Sequence, residues 1–111
     1  MLFRSKLYYA PCARQDLADL RDYITTVLAN PIAAKATMDQ IMASISKLKD
    51  FPEMGAPLHL GEAASAYRFL VCGKYLAFYR TAEHAVYVDR ILYGRRRYLH
   101  LLLENLHQIE P

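Results

Sequence analysis

Two successive segments repeat the same apolar spacing of four, three, four and three residues, and this repeat constrains the fold most. The first segment carries Ala13, Leu17, Leu20, Ile24 and Val27, and the second carries Ala34, Met38, Ile41, Ile45 and Leu48. This spacing places each set on one face of an α-helix. Asn30 and Pro31, a good N-cap and a good first helical residue, separate the segments. The pattern predicts an antiparallel helical hairpin whose apolar face packs on another surface.

Four strands are predicted outside the helical hairpin. Residues 2–9 alternate loosely and predict a first strand, which Pro11 ends. After the second helix, two prolines and a glycine between residues 52 and 57 predict an irregular loop that reaches to residue 66. Three further strands are predicted at 67–71, 75–80 and 85–92, and the short turns between them make neighbours antiparallel.

A short C-terminal helix is predicted after Gly94, because Leu99, Leu102, Leu103 and Leu106 follow helical spacing. The predicted fold is therefore α+β, with the order β-α-α-β-β-β. A helical hairpin packs on a small, mainly antiparallel sheet, and residues 1–111 form a single domain.

Composition excludes several classes of protein. No apolar run approaches the roughly 18 residues of a membrane helix, and no secretory signal is recognisable at the start. Cys12 and Cys72 lie far apart, which favours two reduced thiols in a cytoplasmic protein. The sequence has no glycine-rich phosphate loop, no His-Glu-x-x-His and no Cys-x-x-Cys, so neither a metal nor a cofactor is expected.

Positive charge is concentrated in residues 66–100. This stretch has seven Lys and Arg residues against two acidic ones, and it holds six of the nine tyrosines. Arginine beside tyrosine suits an acidic protein or a nucleic acid, through bidentate contacts and stacking. The alternative is a solvated sheet edge on which arginine discourages aggregation. The arginines of this stretch are Arg68, Arg80, Arg90, Arg95, Arg96 and Arg97.

Three consecutive arginines, Arg95 to Arg97, stand at or just before the predicted C-terminal helix. Each cation near a helix N-terminus costs roughly 0.3–1 kcal/mol. We therefore hypothesise that the run faces an anion, either a nucleic-acid phosphate or an acidic protein segment; a solvated turn is the alternative. Arg68 and Arg80 lie inside predicted strands. Each is expected either to pair with a carboxylate, for which Asp89 is a candidate, or to contact a ligand directly.

Along nearly its whole length the sequence resembles the RelE/ParE superfamily of toxins from type II toxin–antitoxin modules. The resemblance is carried by the order and spacing of Tyr9-Ala10-Pro11, Asp16-Leu17, Tyr23-Ile24, Phe51-Pro52 with Gly55, Arg68-Phe69-Leu70-Val71, Tyr75, Phe78-Tyr79-Arg80, Val86-Tyr87-Val88 and Arg90-Ile91-Leu92-Tyr93-Gly94-Arg95-Arg96. It implies inhibition of bacterial growth and a cognate antitoxin whose segment wraps the toxin. A homodimer or a hetero-oligomer with the antitoxin is compatible with it.

The superfamily contains two activities, and the resemblance assigns residues to each. RelE-like members cut mRNA on the ribosome without a metal; here Arg68, Arg90, Tyr93, Arg95 and Tyr98 would hold the phosphate and donate the proton. ParE-like members poison DNA gyrase by binding; here Arg68, Arg80, Arg90, Arg95, Arg96 and Arg97 would contact the target or another anion.

The sequence departs from the nuclease pattern. Tyr93 stands where the family often has histidine, and Leu76 stands where those nucleases often have arginine. Ala56-Pro57-Leu58 occupies the loop in which a carboxylate base is expected. Phe51-Pro52 with Gly55, and Tyr79-Arg80, are closer to the ParE branch. The first expectation is thus a ParE-like gyrase poison. The alternatives are a ribosome-dependent mRNA endoribonuclease, and a fold relative with another target or a lost activity.

Overall fold

The computed structural model describes residues 4–60 and 63–94 of the chain. In chain order the elements are β1 (Lys6–Tyr9), α1 (Pro11–Asp22), a π turn (Tyr23–Val27), α2 (Pro31–Ser46), a 3-10 turn (Lys47–Lys49), β2 (Ala56–Leu60), β3 (Ala63–Cys72), β4 (Tyr75–Ala82) and β5 (Ala85–Tyr93). The predicted C-terminal helix lies outside the described residues. In the part of the chain that is described, no helix has the length and apolar character needed to cross a bilayer.

Both predicted helices form, and both begin at a proline. The side chain of Asn30 caps α2 by accepting a hydrogen bond from the Ala33 N–H at 3.0 Å. The predicted apolar faces are buried or half-buried except at Val27, where the prediction is wrong. Val27 ends the π turn, in which the Leu28 N–H reaches the Tyr23 carbonyl five residues back. This wider turn rotates Val27 away from the sheet, because helical spacing no longer applies.

The strands form one five-stranded sheet in the order β1-β5-β4-β3-β2. Its three neighbouring pairs from β5 to β2 are antiparallel, and β1 runs parallel to β5. The first strand is shorter than predicted and begins at Lys6. Residues 56–60, predicted as loop, are strand β2 at the sheet edge. Pro57 is tolerated there because an edge strand needs only one of its two sides for hydrogen bonds.

Two apolar clusters lie on opposite faces of the sheet. The larger cluster joins the sheet to the helical hairpin and includes Ala13, Ile41, Ile45, Tyr79 and Val88. The smaller cluster is formed by Leu58, Tyr67, Phe78 and Leu92, with Phe69 and Leu76 packed against it. Alternate strand residues point to opposite faces, so β4 contributes Tyr79 to one cluster and Phe78 to the other.

The β4–β5 ladder contains a bulge at Asp89. Phe78 pairs with Arg90 and Tyr79 pairs with Val88, so Asp89 is the extra residue. Its carboxylate is almost fully buried and accepts hydrogen bonds from Arg80 Nε at 2.7 Å and from the Tyr67 hydroxyl at 2.8 Å. The bulge therefore carries a buried carboxylate whose two hydrogen bonds join three strands.

Candidate functional site

The second half of β5 extends beyond its parallel neighbour. β1 pairs with Ala85 to Val88, and among the described residues no strand pairs with residues 89–93 on that side. Helix α1 takes the place of the missing strand through Asp16, whose carboxylate accepts the Ile91 backbone N–H at 2.9 Å. The same carboxylate holds Arg90 with two bonds, from Nε at 2.8 Å and Nη2 at 3.0 Å. This contact positions α1 against the end of β5.

A cleft of about 670 Å³ lies between α1 and the ends of β4 and β5. We call it the α1–β5 cleft. Its lining combines apolar, aromatic and charged side chains from residues Asp16, Asp19, Leu20, Tyr23, Lys74, Tyr75, Ile91, Leu92 and Tyr93. Such a mixture is typical of a binding site, in which a few polar groups orient a partner on an apolar floor.

Three tyrosines give the α1–β5 cleft its chemical character. The rings of Tyr75 and Tyr93 are tilted against each other with centroids 5.7 Å apart. Burial raises the pKa of Tyr75, and the neighbouring hydroxyls of Tyr93 and Tyr23 raise it further. The Tyr75 phenol is therefore neutral at pH 7, and it can donate as well as accept a hydrogen bond. Tyr23 and Tyr93 remain exposed, so their rings are available to a partner.

Sequence comparison places the chain in a family. Residues 7–98 match the family model of the ParE toxin of the type II toxin–antitoxin system parDE. The chain belongs to the ParE toxin family. It is a toxin of the ParE/RelE superfamily, as the sequence resemblance predicted. No curated protein matches the sequence significantly.

Solved toxin–antitoxin structures share the fold of this toxin. A chain of a chromosomal ParDE system from P. aeruginosa superposes with a TM-score of 0.68 at 20% identity, over 82% of this toxin and 97% of that chain. A chain of the RelBE2 toxin–antitoxin complex from Mycobacterium tuberculosis superposes with a TM-score of 0.55 at 19% identity, over 84% and 94% of the two chains. At these identities the likeness confirms the predicted α+β architecture.

The described arginines predicted to bind a target or an anion are each held within the toxin. Arg68 donates from Nη1 to the backbone carbonyls of Gly55 at 2.8 Å and Glu53 at 3.3 Å. Arg80 pairs with Asp89, as one of the two sequence interpretations proposed, and its guanidinium lies 5.2 Å from the centre of the Tyr87 ring. Arg90 binds Asp16. All three thus connect elements of the fold.

Tyr93 is the one predicted site residue, among those described, that lines the α1–β5 cleft. Arg95, Arg96, Arg97 and Tyr98 lie outside the described residues. Their predicted roles in anion binding or catalysis stay predictions, as do those of Arg68, Arg80 and Arg90.

Sequence reasoning did not place Asp16, Asp19, Tyr23 or Tyr75 at a site. The available signal was their position: Asp16 and Asp19 lie off the apolar face of the first helix, and tyrosines are frequent in interfaces. That signal does not identify the strand end that the helix contacts. Asp16 is separated from Arg90 by 74 positions in the sequence and from Ile91 by 75.

Proposed function

We propose that this toxin inhibits growth by binding DNA gyrase, and that a cognate antitoxin neutralises it. Membership of the ParE toxin family supports a ParE-like mode of action. Both solved relatives belong to toxin–antitoxin systems, which supports an antitoxin partner. The α1–β5 cleft, and the arginine run that follows Tyr93 in the sequence, supply the proposed contact surface.

The observation that carries this proposal is the engagement of Arg68 and Arg90 by oxygen atoms of the toxin itself. A nuclease of this superfamily would need both guanidinium groups on a phosphate. Arg90 already donates from Nε and Nη2 to Asp16 in a largely buried pair, so a phosphate could reach only the N–H groups that remain. Arg68 already donates from Nη1 to two backbone carbonyls, which fixes the orientation of its guanidinium against the toxin. Because charge-assisted bidentate bonds are among the strongest side-chain contacts, a binding role agrees better with this geometry.

The test is inducible expression of the toxin in a bacterial host, with two readouts soon after growth stops. Cleaved DNA trapped on gyrase is measured alongside the 5′ ends of cellular RNA. Supercoiling by purified gyrase is then measured with and without the toxin. We expect trapped gyrase and loss of supercoiling while messages remain intact. New RNA ends phased to codons in translated messages, without trapped gyrase, would contradict the proposal and favour the endoribonuclease.

Tyr93 and Tyr8 provide a matched pair of variants. Tyr93 is 38% exposed and packs on Tyr75, whereas Tyr8 is 45% exposed and stacks on Tyr87 with ring centres 5.3 Å apart. Only Tyr93 of the two lines the α1–β5 cleft. We expect Tyr93→Ala to lower gyrase inhibition at least tenfold, as loss of an aromatic anchor does in protein interfaces, and Tyr8→Ala to leave it within about twofold.

Tyr93→Phe separates binding from catalysis. This variant keeps the aromatic ring and removes the hydroxyl that would donate a proton to a leaving oxygen. A gyrase-binding toxin is expected to retain most of its activity with phenylalanine. A nuclease that uses Tyr93 as its acid would lose roughly 100-fold or more.

A further inference from the structure

The backbone of β5 turns unpaired polar groups towards the α1–β5 cleft. In a strand the N–H and C=O of one residue point to the same side, and successive residues alternate between the two sides. The Ile91 N–H points to α1, where it binds Asp16. The Gly94 N–H points to β4, where it binds the Lys74 carbonyl at 2.9 Å. Because the β4–β5 register is regular between Ile91 and Tyr93, the Ile91 C=O and the Tyr93 N–H face the cleft.

The row beside these two groups holds no strand in the described part of the chain. Strand β1 ends at Tyr9, opposite Val88. Helix α1 replaces it at the Ile91 N–H alone, and neither the Ile91 C=O nor the Tyr93 N–H binds a described residue. Unpaired backbone groups at the edge of a sheet are a template for an added strand.

The shape of the α1–β5 cleft fits an extended chain. Its helical wall is one face of α1, because Asp16, Asp19, Leu20 and Tyr23 follow helical spacing. The opposite wall is the free edge of β5. A strand placed between them would bond to β5 through its backbone and would direct alternate side chains to the walls of the cleft.

The charges of the cleft favour an acidic side chain at its strand wall. Lys74 is exposed and makes no ion pair with any described carboxylate. On the helical wall the charge of Asp16 is balanced by Arg90, and Asp19 is exposed. The three arginines of residues 95–97 follow β5 in the sequence and add positive charge to this end of the strand. A carboxylate beside Lys74 would complement this charge.

We propose that the α1–β5 cleft binds an extended, acidic segment of gyrase, which pairs with β5 in the row beyond β1. The segment accepts a hydrogen bond from the Tyr93 N–H, donates one to the Ile91 C=O and places a carboxylate beside Lys74. In this mode of recognition the main-chain bonds supply affinity and the side chains supply specificity. The inference rests on the proposed function, since it takes gyrase to be the target, and it adds the way in which the target is held.

Tyr93→Pro and Tyr93→Ala separate the backbone contact from the ring. Both variants remove the ring, and only proline removes the N–H. This N–H takes no part in the β4–β5 ladder, so proline removes no bond of the fold. With the gyrase holoenzyme, half-inhibition of supercoiling should require about fivefold more of the proline variant than of the alanine variant, the effect of one hydrogen bond. Urea unfolding checks that both variants are folded. Equal inhibition by the two folded proteins would overturn the proposal.

A charge reversal tests the acidic character of the segment. Lys74→Glu is expected to weaken inhibition of gyrase about tenfold, because it places like charges together. The matched control is Lys6→Glu, at an exposed lysine of β1 that does not line the cleft, and it should stay within about twofold of the unchanged toxin. Equal losses for the two variants would contradict the placement of a carboxylate beside Lys74.

Amide hydrogen exchange of the full-length toxin, alone and with gyrase, reads the backbone directly. We expect the Tyr93 amide to exchange rapidly in the isolated toxin and about tenfold more slowly in the complex. Protection in the isolated toxin would show that its own chain fills the row, and the proposal would be wrong. Gyrase inhibition without slower exchange at Tyr93 would overturn the strand pairing and leave the proposed function standing. A toxin that neither binds nor inhibits gyrase would overturn both.

Discussion

The buried carboxylate at the β5 bulge is the position at which a single substitution tests the stability argument most directly. One oxygen of Asp89 accepts hydrogen bonds from Arg80 in β4 and from the Tyr67 hydroxyl in β3. No main-chain ladder bond can replace these contacts, because they are made by side chains from three strands. Asp89→Ala removes both acceptor contacts at once and leaves the two donors in place.

The loss of stability expected for Asp89→Ala follows from the burial of each donor. Tyr67 is buried, so its hydroxyl would be left without this partner at a cost of about 1–3 kcal/mol. The bond from the charged Arg80 contributes about 1.5–3 kcal/mol. The Arg80 side chain is 42% exposed, so water can solvate it again and the lower part of that range applies. We expect Asp89→Ala to lower the free energy of unfolding by about 3 kcal/mol.

Urea unfolding followed by circular dichroism measures this loss. The matched control is Asp39→Ala, which removes an exposed carboxylate paired with Lys35 one turn away on α2. Such pairs contribute about 0.3–0.5 kcal/mol. A double-mutant cycle with Tyr67→Phe should show coupling, since both substitutions remove the same hydrogen bond. A loss for Asp89→Ala below about 1 kcal/mol, or no larger than that of the control, would refute the reasoning.

Three further substitutions probe other contacts. Gly55→Ala would place its Cβ 2.6 Å from the Phe69 carbonyl oxygen, so we expect a loss of about 1–3 kcal/mol in urea unfolding. Asp16→Ala leaves Arg90 without its bidentate partner and should lower stability by about 2–4 kcal/mol, measured in the same way. Burial raises the pKa of Cys72 to about 11 from 9.0. The contribution of Cys72 to stability should therefore be intact below pH 9 and be lost as pH rises through 11, because the thiol ionises at a lower pH in the unfolded chain than in the folded one. Under reducing conditions, Cys72→Ala should make this loss smaller.

The expectations for Asp16→Ala and Cys72→Ala each have a matched control. Asp19→Ala, on the same helix as Asp16, removes an exposed carboxylate and should change stability by less than about 0.5 kcal/mol. Cys12→Ala, at the second free cysteine, should leave the alkaline loss in place. An Asp16→Ala protein as stable as the Asp19→Ala protein would contradict the role given to the contact with Arg90. An alkaline profile unchanged by Cys72→Ala would assign that loss to other groups.

The helices could be predicted because their signal is local. The apolar spacing, the Asn30 cap and the prolines at both helix starts act within a few residues, and α1 and α2 form where they indicate. Val27 was misplaced because a π turn changes the rotation per residue, and apolar spacing alone does not reveal that change. Strand β2 was missed for a related reason. Pro57 predicts the end of a regular strand, and it is compatible with β2 only because β2 lies at the edge of the sheet.

The sequence by itself determined the α+β class, the helical hairpin, the three antiparallel strands after it and the likeness to the toxin superfamily. Only the tertiary structure decided that β1 lies parallel to β5, that Arg90 binds Asp16, and that the α1–β5 cleft gathers Tyr23, Tyr75 and Tyr93. The physical reason is the separation along the sequence of the residues that interact. Helical periodicity and turns are set by neighbours a few residues away, whereas the cleft exists only because burial of the shared apolar face brings distant segments together.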